Sequence, residues 1–133
     1  MIRVLCEVRK SEIHGTGVFA TEAVRADRVV WTYEPGMERA IGDYSVRYGD
    51  PDVMRFIRER GYINPARPAL WILCCDESQY MNFPKDGETA NLRLGGLIDG
   101  EHVLLAARDI QPGEELTVPP ESDLDFERKM QSR

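Results

Sequence analysis

The sequence is short of the residues that most often betray a function. It holds two histidines, His14 and His102, and three cysteines, Cys6, Cys74 and Cys75, with no C-x-x-C pair. Four zinc ligands at a usable spacing are not to be found, so no metal is expected. An odd cysteine count with two members adjacent makes no disulfide framework. Long apolar runs are also missing. None approaches the ~20 residues that a spanning helix requires, and no membrane partner is expected. Met1 to Glu7 meets charge too early for a signal peptide, which points to a cytoplasmic location. Positive charge is scarce as well. Lysine and arginine number 17 against 23 aspartates and glutamates, a net charge of −6. A protein that grips a nucleic-acid backbone needs a basic face, so no direct nucleic-acid binding is expected. The same balance favours basic partners by charge complementarity, and it helps keep the chain soluble.

What is present fits one domain spanning residues 1–133, with enough chain for a real core. Ile2, Val4, Cys6 and Val8 recur at period two, which predicts an opening strand with one buried face. Val29 to Tyr33 is the densest β-branched and aromatic run and predicts a buried strand. Leu70 to Cys75 is a second apolar run, with Cys74 and Cys75 on opposite faces. Ala90 to Leu94 and Leu97-Ile98 lead into Asp99-Gly100, a hairpin-turn signal, and His102 to Ala107 returns as the partner. Pro112-Gly113 suits a type II turn before a last short strand, Leu116 to Val118. One helix is well signalled as an insert over about residues 50–61. Asp50 caps it, Pro51 opens it, Val53, Phe56, Ile57 and Arg60 mark one face, and Gly61 supplies a left-handed stop. In the tail, about residues 120–133, Ser122 is placed to cap a short helix carrying Leu124 and Phe126. Many short strands without βαβ alternation predict a mostly-β fold and exclude a Rossmann-type sheet.

Three segments stand out, the first two as candidate sites and the third as structure. Lys10-Ser11-Glu12-Ile13-His14-Gly15-Thr16-Gly17-Val18-Phe19-Ala20 holds a Gly-x-Gly, which lets backbone turn tightly and approach a ligand closely. Tyr80-Met81-Asn82-Phe83-Pro84 is followed by Ala90-Asn91-Leu92. Asn82 offers a donor and an acceptor, suited either to a ligand or to fixing a turn through the backbone. Ala106-Ala107-Arg108-Asp109-Ile110-Gln111-Pro112-Gly113-Glu114-Glu115-Leu116-Thr117 reads as strand, turn and restart. In this order the three resemble the SET domain family of protein-lysine methyltransferases across almost the whole chain. The resemblance implies a β-clip-like fold of several small curved sheets, a short helical insert and a knot-like C-terminal crossing. It implies S-adenosylmethionine as cofactor, bound by Gly15, Gly17, Asn82 and Phe83, with Phe126 closing the pocket. It implies a basic, lysine-bearing protein or peptide as substrate, to which the acidic tail residues Glu121, Asp123, Asp125 and Glu127 are a candidate attraction. Homodimerisation through an exposed strand is left open.

Two departures stand out. Phe83 and Pro84 replace the His and Ser of the family's Asn-His-Ser signature. The tyrosine expected shortly after Gly-Glu-Glu-Leu-Thr is missing from Leu116-Thr117-Val118-Pro119-Pro120-Glu121-Ser122. Tyr33, Tyr44, Tyr48, Tyr62 and Tyr80 remain, and Tyr80, beside Asn82, is the candidate catalytic hydroxyl. Two functions follow: an S-adenosylmethionine-dependent lysine methyltransferase, or a SET-fold module that binds a protein partner without turnover. An unrelated small β-protein would lack the crossing between the Asn82 region and Leu116 to Val118.

Overall fold

The computed structural model describes all 133 residues. The chain runs through β1 (Cys6–Lys10), β2 (Thr16–Ala20), β3 (Val29–Trp31), β4 (Glu38–Gly42), α1 (Asp43–Tyr48), α2 (Pro51–Arg60), β5 (Leu70–Cys74), β6 (Leu92–Ile98), β7 (Glu101–Ala106) and α3 (Phe126–Gln131). The strands form three small sheets: β1-β2, β3-β7-β6 and β4-β5, every pair antiparallel. The glycine loop of the sequence is the tip of the β1-β2 hairpin, and Gly15 turns it at φ +48. Asp99 and Gly100 both take positive φ between β6 and β7, as a type I′ turn requires.

The predicted opening strand is only partly right. Ile2 and Val4 are buried but precede β1, whose Val8 is exposed. β1 has β2 as its sole neighbour, so the alternation loses its buried face beyond Cys6. Cys74 is buried and Cys75 exposed, as expected for adjacent positions at a strand end. β4 and α1 carried no sequence signal of their own. β4 is held by pairing with the apolar β5, from Glu38↔Cys74 to Gly42↔Leu70.

The helical insert begins as predicted. Asp50 Oδ1 accepts from the N–H groups of Asp52 (2.9 Å) and Val53 (3.3 Å), with Pro51 at the first position. Its packing differs from the prediction. Ile57 is buried with Val46 and Trp71, while Val53 and Phe56 stay about half exposed. Gly61 is not a left-handed stop, because its φ is −87. A glycine is needed there for space: a Cβ would sit 2.8 Å from the Ile57 carbonyl oxygen and 3.1 Å from that of Ile72. Gly61→Ala is therefore expected to destabilise the fold by about 1–3 kcal/mol through overpacking against backbone. Thermal denaturation checks this, and an unchanged melting temperature would show that the junction has slack.

The main core joins the hairpin to the three-stranded sheet. Val18, Ala20, Val24, Val30, Leu92, Ala106, Ile110 and Leu116 are its most deeply buried members. Leu116 to Val118 forms no regular strand, contrary to expectation. It touches three different partners and makes only isolated bridges, Phe19↔Glu115 and the parallel Asn82↔Thr117. Leu116 N–H donates to Val18 O (2.7 Å), Val118 N–H to Asn82 O (2.9 Å), and Leu92 N–H to Thr117 O (3.1 Å). This is the C-terminal crossing, passing between the hairpin, the Asn82 segment and the start of β6. Asn91 fastens it. Its Oδ1 accepts from Thr117 N–H (2.8 Å) and its Nδ2 donates to Glu115 O (2.7 Å). Ser122 does not cap the last helix. Its hydroxyl donates to Pro119 O (2.7 Å) within a short 3-10 turn, and α3 starts after Asp125. No helix is long and apolar enough to cross a membrane.

Candidate functional site

Asn82 holds the loop and the crossing together. Its Nδ2 lies within hydrogen-bond distance of Ser11 Oγ (3.2 Å), His14 O (3.0 Å), Thr16 O (3.1 Å) and Glu115 Oε2 (3.1 Å). Four oxygens around one end of the amide fix that end as the nitrogen. The side chain thus staples the Gly-x-Gly loop from both sides of Gly15. Oδ1 accepts no hydrogen bond from the protein. Glu115 completes the staple by accepting from Ser11 Oγ (2.6 Å). Its carboxylate fills the space beside Gly17, where a Cβ would lie 2.7 Å from Glu115 Cδ. Gly17 therefore leaves room for Glu115.

A cavity of about 430 Å³, lined by 24 residues, opens beside this staple. That is a size typical of small-molecule sites. The hairpin turn contributes His14, Gly15 and Thr16; the segment after β5 contributes Tyr80, Met81, Asn82 and Phe83. The sheet supplies Trp31, Leu94, His102 and Leu104, joined by Cys74 and Val118. The end of α2 and the residues after it add Arg60, Gly61, Tyr62 and Asn64, and the tail adds Asp123, Lys129 and Arg133. Four of the residues picked from sequence thus meet in one space: Gly15, Tyr80, Asn82 and Phe83. Gly17 and Phe126 do not line it. Phe126 instead packs edge-on against Phe83, with ring centroids 4.8 Å apart.

Tyr62, one of the five tyrosines left by the sequence but not the one preferred there, lines the cavity along with Tyr80. Its ring meets Trp31 edge-on at 6.0 Å. Its hydroxyl is sealed from bulk solvent and makes no well-formed hydrogen bond, with the Asn64 side chain as its polar neighbour, and Trp31 Nε1 is sealed without a partner. Burial pushes the Tyr62 phenol well above its usual value, helped by the negative charge potential of Cys74 and Glu101. The group therefore stays a neutral donor. Burial likewise raises the Cys74 thiol to about 12, which leaves it an inert packing group. No periodicity marks Tyr62. Its one sequence cue is its place immediately after the helix-ending glycine.

The tail is tied to the cavity rim. Asp123 is buried, and it accepts from Ile63 N–H (3.0 Å) and pairs with Lys129 Nζ (2.5 Å). Lys129 also donates to Gly61 O (2.7 Å), while Asp125 pairs with Arg128 (2.6 Å). Two of the four tail carboxylates are thus neutralised internally, which leaves Glu121 and Glu127 as the free charges of that run.

The donor set fits S-adenosylmethionine. Asn82 Oδ1 is a free acceptor for an ammonium group, the Gly15 turn brings bare backbone to the cavity, and Phe83 offers an aromatic edge. Pro84 removes one backbone donor from this side.

No protein-family model and no curated protein matches the sequence. Solved structures do match. A proposed histone methyltransferase of Plasmodium falciparum is 16% identical with a TM-score of 0.58, over 87% of this chain and 92% of that one. Chaetomium thermophilum Polycomb Repressive Complex 2, in an autoinhibited conformation bound to S-adenosylmethionine, is 20% identical at a TM-score of 0.62. The same complex bound to the inhibitor GSK126 is 19% identical at 0.64. The chain has the SET-domain fold. It is covered over 97–98% of its length in the two Polycomb comparisons and spans 17% of each Polycomb chain. Within this SET fold, the staple and the crossing are built from the three segments whose order marked the sequence, while the cavity beside them draws only on the first two and is otherwise lined by the sheet, the end of α2 and the tail.

Proposed function

We propose that the protein is an S-adenosylmethionine-dependent protein-lysine N-methyltransferase acting on a basic, lysine-bearing protein or peptide. One observation carries this reading. A single cavity joins the stapled glycine loop, with the free Oδ1 of Asn82, to an aromatic wall of Trp31, Tyr62 and Tyr80. When bound, S-adenosylmethionine supplies a methyl group on a positively charged sulfur. Asn82 and the Gly15 turn orient one end of the site, and Phe83 backed by Phe126 covers it. Trp31 and Tyr62 form an apolar sleeve for a lysine stem, and their unpartnered N–H and O–H groups are donors held in a dry place. The work left to the protein is alignment and charge stabilisation.

A second reading, a binding module without turnover, draws on the Val118-Pro119-Pro120 stretch, which offers no hydroxyl where the resemblance expects one. Calorimetric titration with S-adenosylmethionine separates the cases first. Saturable 1:1 binding is expected. No heat at millimolar ligand would sink the methyltransferase reading and leave the module.

A further inference from the structure

We propose that His102 is the proton acceptor that makes the substrate amine a nucleophile. The inference rests on the methyltransferase reading and adds a catalytic residue to it. His102 lines the cavity from β7, two residues before Leu104, so both side chains project from the same face of the sheet. Leu94 pairs with Leu104 from β6, and Trp31 pairs with it from β3, so His102 belongs to the same wall as the aromatic sleeve.

The imidazole is oriented by a single contact. Nδ1 lies 2.8 Å from the carbonyl oxygen of Gly95. A carbonyl only accepts, so Nδ1 carries the hydrogen and Nε2 of the neutral ring presents its lone pair. Nε2 has no hydrogen-bond partner in the protein. The β-bulge between Leu94 and Leu97 makes this possible, because it shifts the register of β6 and turns the Gly95 carbonyl toward the ring. A Cβ on Gly95 would meet Val103 Cγ2 at 2.8 Å, so the bulge depends on glycine. The titratable neighbour that acts with His102 is Glu101, whose own partner is Arg67. Glu101 is buried, its carboxyl is raised by that burial, and it is held by Arg67 Nε at 2.9 Å with His102 also acting on it.

The chemistry needs such a group. A lysine ammonium has no lone pair, and lysine in water holds its proton until about pH 10.4. In the proposed step one N–H bond of the ammonium breaks and its proton goes to Nε2. The freed nitrogen pair then forms the C–N bond as the C–S bond breaks, and the sulfur keeps that electron pair. The imidazolium returns its proton to water, one proton for each methyl transferred. An imidazole is the side chain suited to this exchange near neutrality.

With only two histidines the test is direct. Long-range ¹⁵N spectra of the protein, assigned with His14→Gln, report both ring nitrogens of His102. The expected result is an Nδ1–H tautomer whose Nε2 signal moves on adding n-butylammonium, a lysine side-chain mimic. Methyl transfer from S-adenosylmethionine to poly-L-lysine is measured alongside. His102→Gln is expected to lower kcat at pH 7 about a hundredfold or more, with KM nearly unchanged and the loss shrinking as pH rises. An Nε2–H tautomer, or an n-butylammonium shift that spares His102, would overturn the proposal. So would an unaltered pH profile in His102→Gln. A His102 shift in a protein that transfers no methyl group would keep the amine contact and sink the methyltransferase reading instead.

Discussion

Tyr62→Phe is expected to reduce methyl transfer about 10²–10³-fold, the cost of losing one preorganised donor at a reacting centre, while the melting temperature holds or rises slightly. The two halves of this expectation have one cause. The Tyr62 hydroxyl is buried and makes no well-formed hydrogen bond, although the Asn64 side chain lies beside it. A group in that state contributes nothing to folding and carries a desolvation cost of about 1–3 kcal/mol, so its removal relieves rather than weakens the fold. The ring itself is kept by the substitution, and so is its edge-on contact with Trp31. Only a ligand that enters the cavity can use the lost hydroxyl. Because burial holds the phenol well above its ordinary value, it stays protonated through neutral and alkaline pH. The ratio of wild-type to variant rates should therefore be flat from pH 6 to pH 9, unlike that for His102→Gln. Tyr80→Phe is the control. Tyr80 lines the same cavity at the end of a 3-10 turn, and a small effect there beside a large one at Tyr62 assigns the hydroxyl. A fall of several degrees in Tm with transfer intact would mean that Tyr62 is a packing group, satisfied by the neighbouring Asn64 side chain.

The choice between those two tyrosines shows what the sequence could and could not supply. Local chemistry was legible. The Asp50-Pro51 helix start, the Asp99-Gly100 turn and the strand expected over Val29 to Tyr33, of which Val29–Trp31 forms, each follow from residues next to one another in the chain. The resemblance of the three ordered segments to the SET family also implied the fold, which no local pattern in the chain could have supplied. What stayed hidden depends on distant partners. Tyr62 reaches the cavity only because Gly61 lets α2 pack closely against β5. β4 is a strand because β5 is beside it, and its own residues Glu38-Arg39-Ala40 carry no strand pattern. Leu116 to Val118 reads as a strand, yet the crossing divides its hydrogen bonds among three neighbours, so no ladder forms. Asn82 was open between a ligand contact and a turn staple. Its amide turns out to divide the two: the nitrogen end is committed to the loop and the oxygen end is free.

That division sets up a sharper test of the site. Asn82→Asp changes one NH₂ to an oxygen and is close to neutral in size. It nevertheless replaces the donor by an acceptor that faces the His14 and Thr16 carbonyls and the Glu115 carboxylate. The attractions to these three groups become repulsions, with only the Ser11 hydroxyl able to turn and donate, in a residue that is only 5% exposed. The expected cost is about 3–5 kcal/mol at pH 7, the range for an uncompensated buried charge. The pH dependence follows from the same contacts. The surrounding oxygens disfavour the charged form, so the introduced carboxyl has a higher pKa in the folded state than the ~3.9 of an unfolded chain. Below that lower value both states are protonated and the ionic penalty is absent. As pH rises through the window between the two values the penalty grows, and above the folded-state value it is complete. Asn82→Ala lacks this charge and should cost less, about 1–3 kcal/mol for the orphaned carbonyls, with no such pH dependence. Urea unfolding of both variants at pH 4 and pH 7 makes the comparison. Equal losses for the two at pH 7 would mean that the loop relaxes away from position 82, and the staple would then not be what holds the Gly-x-Gly turn against the cavity.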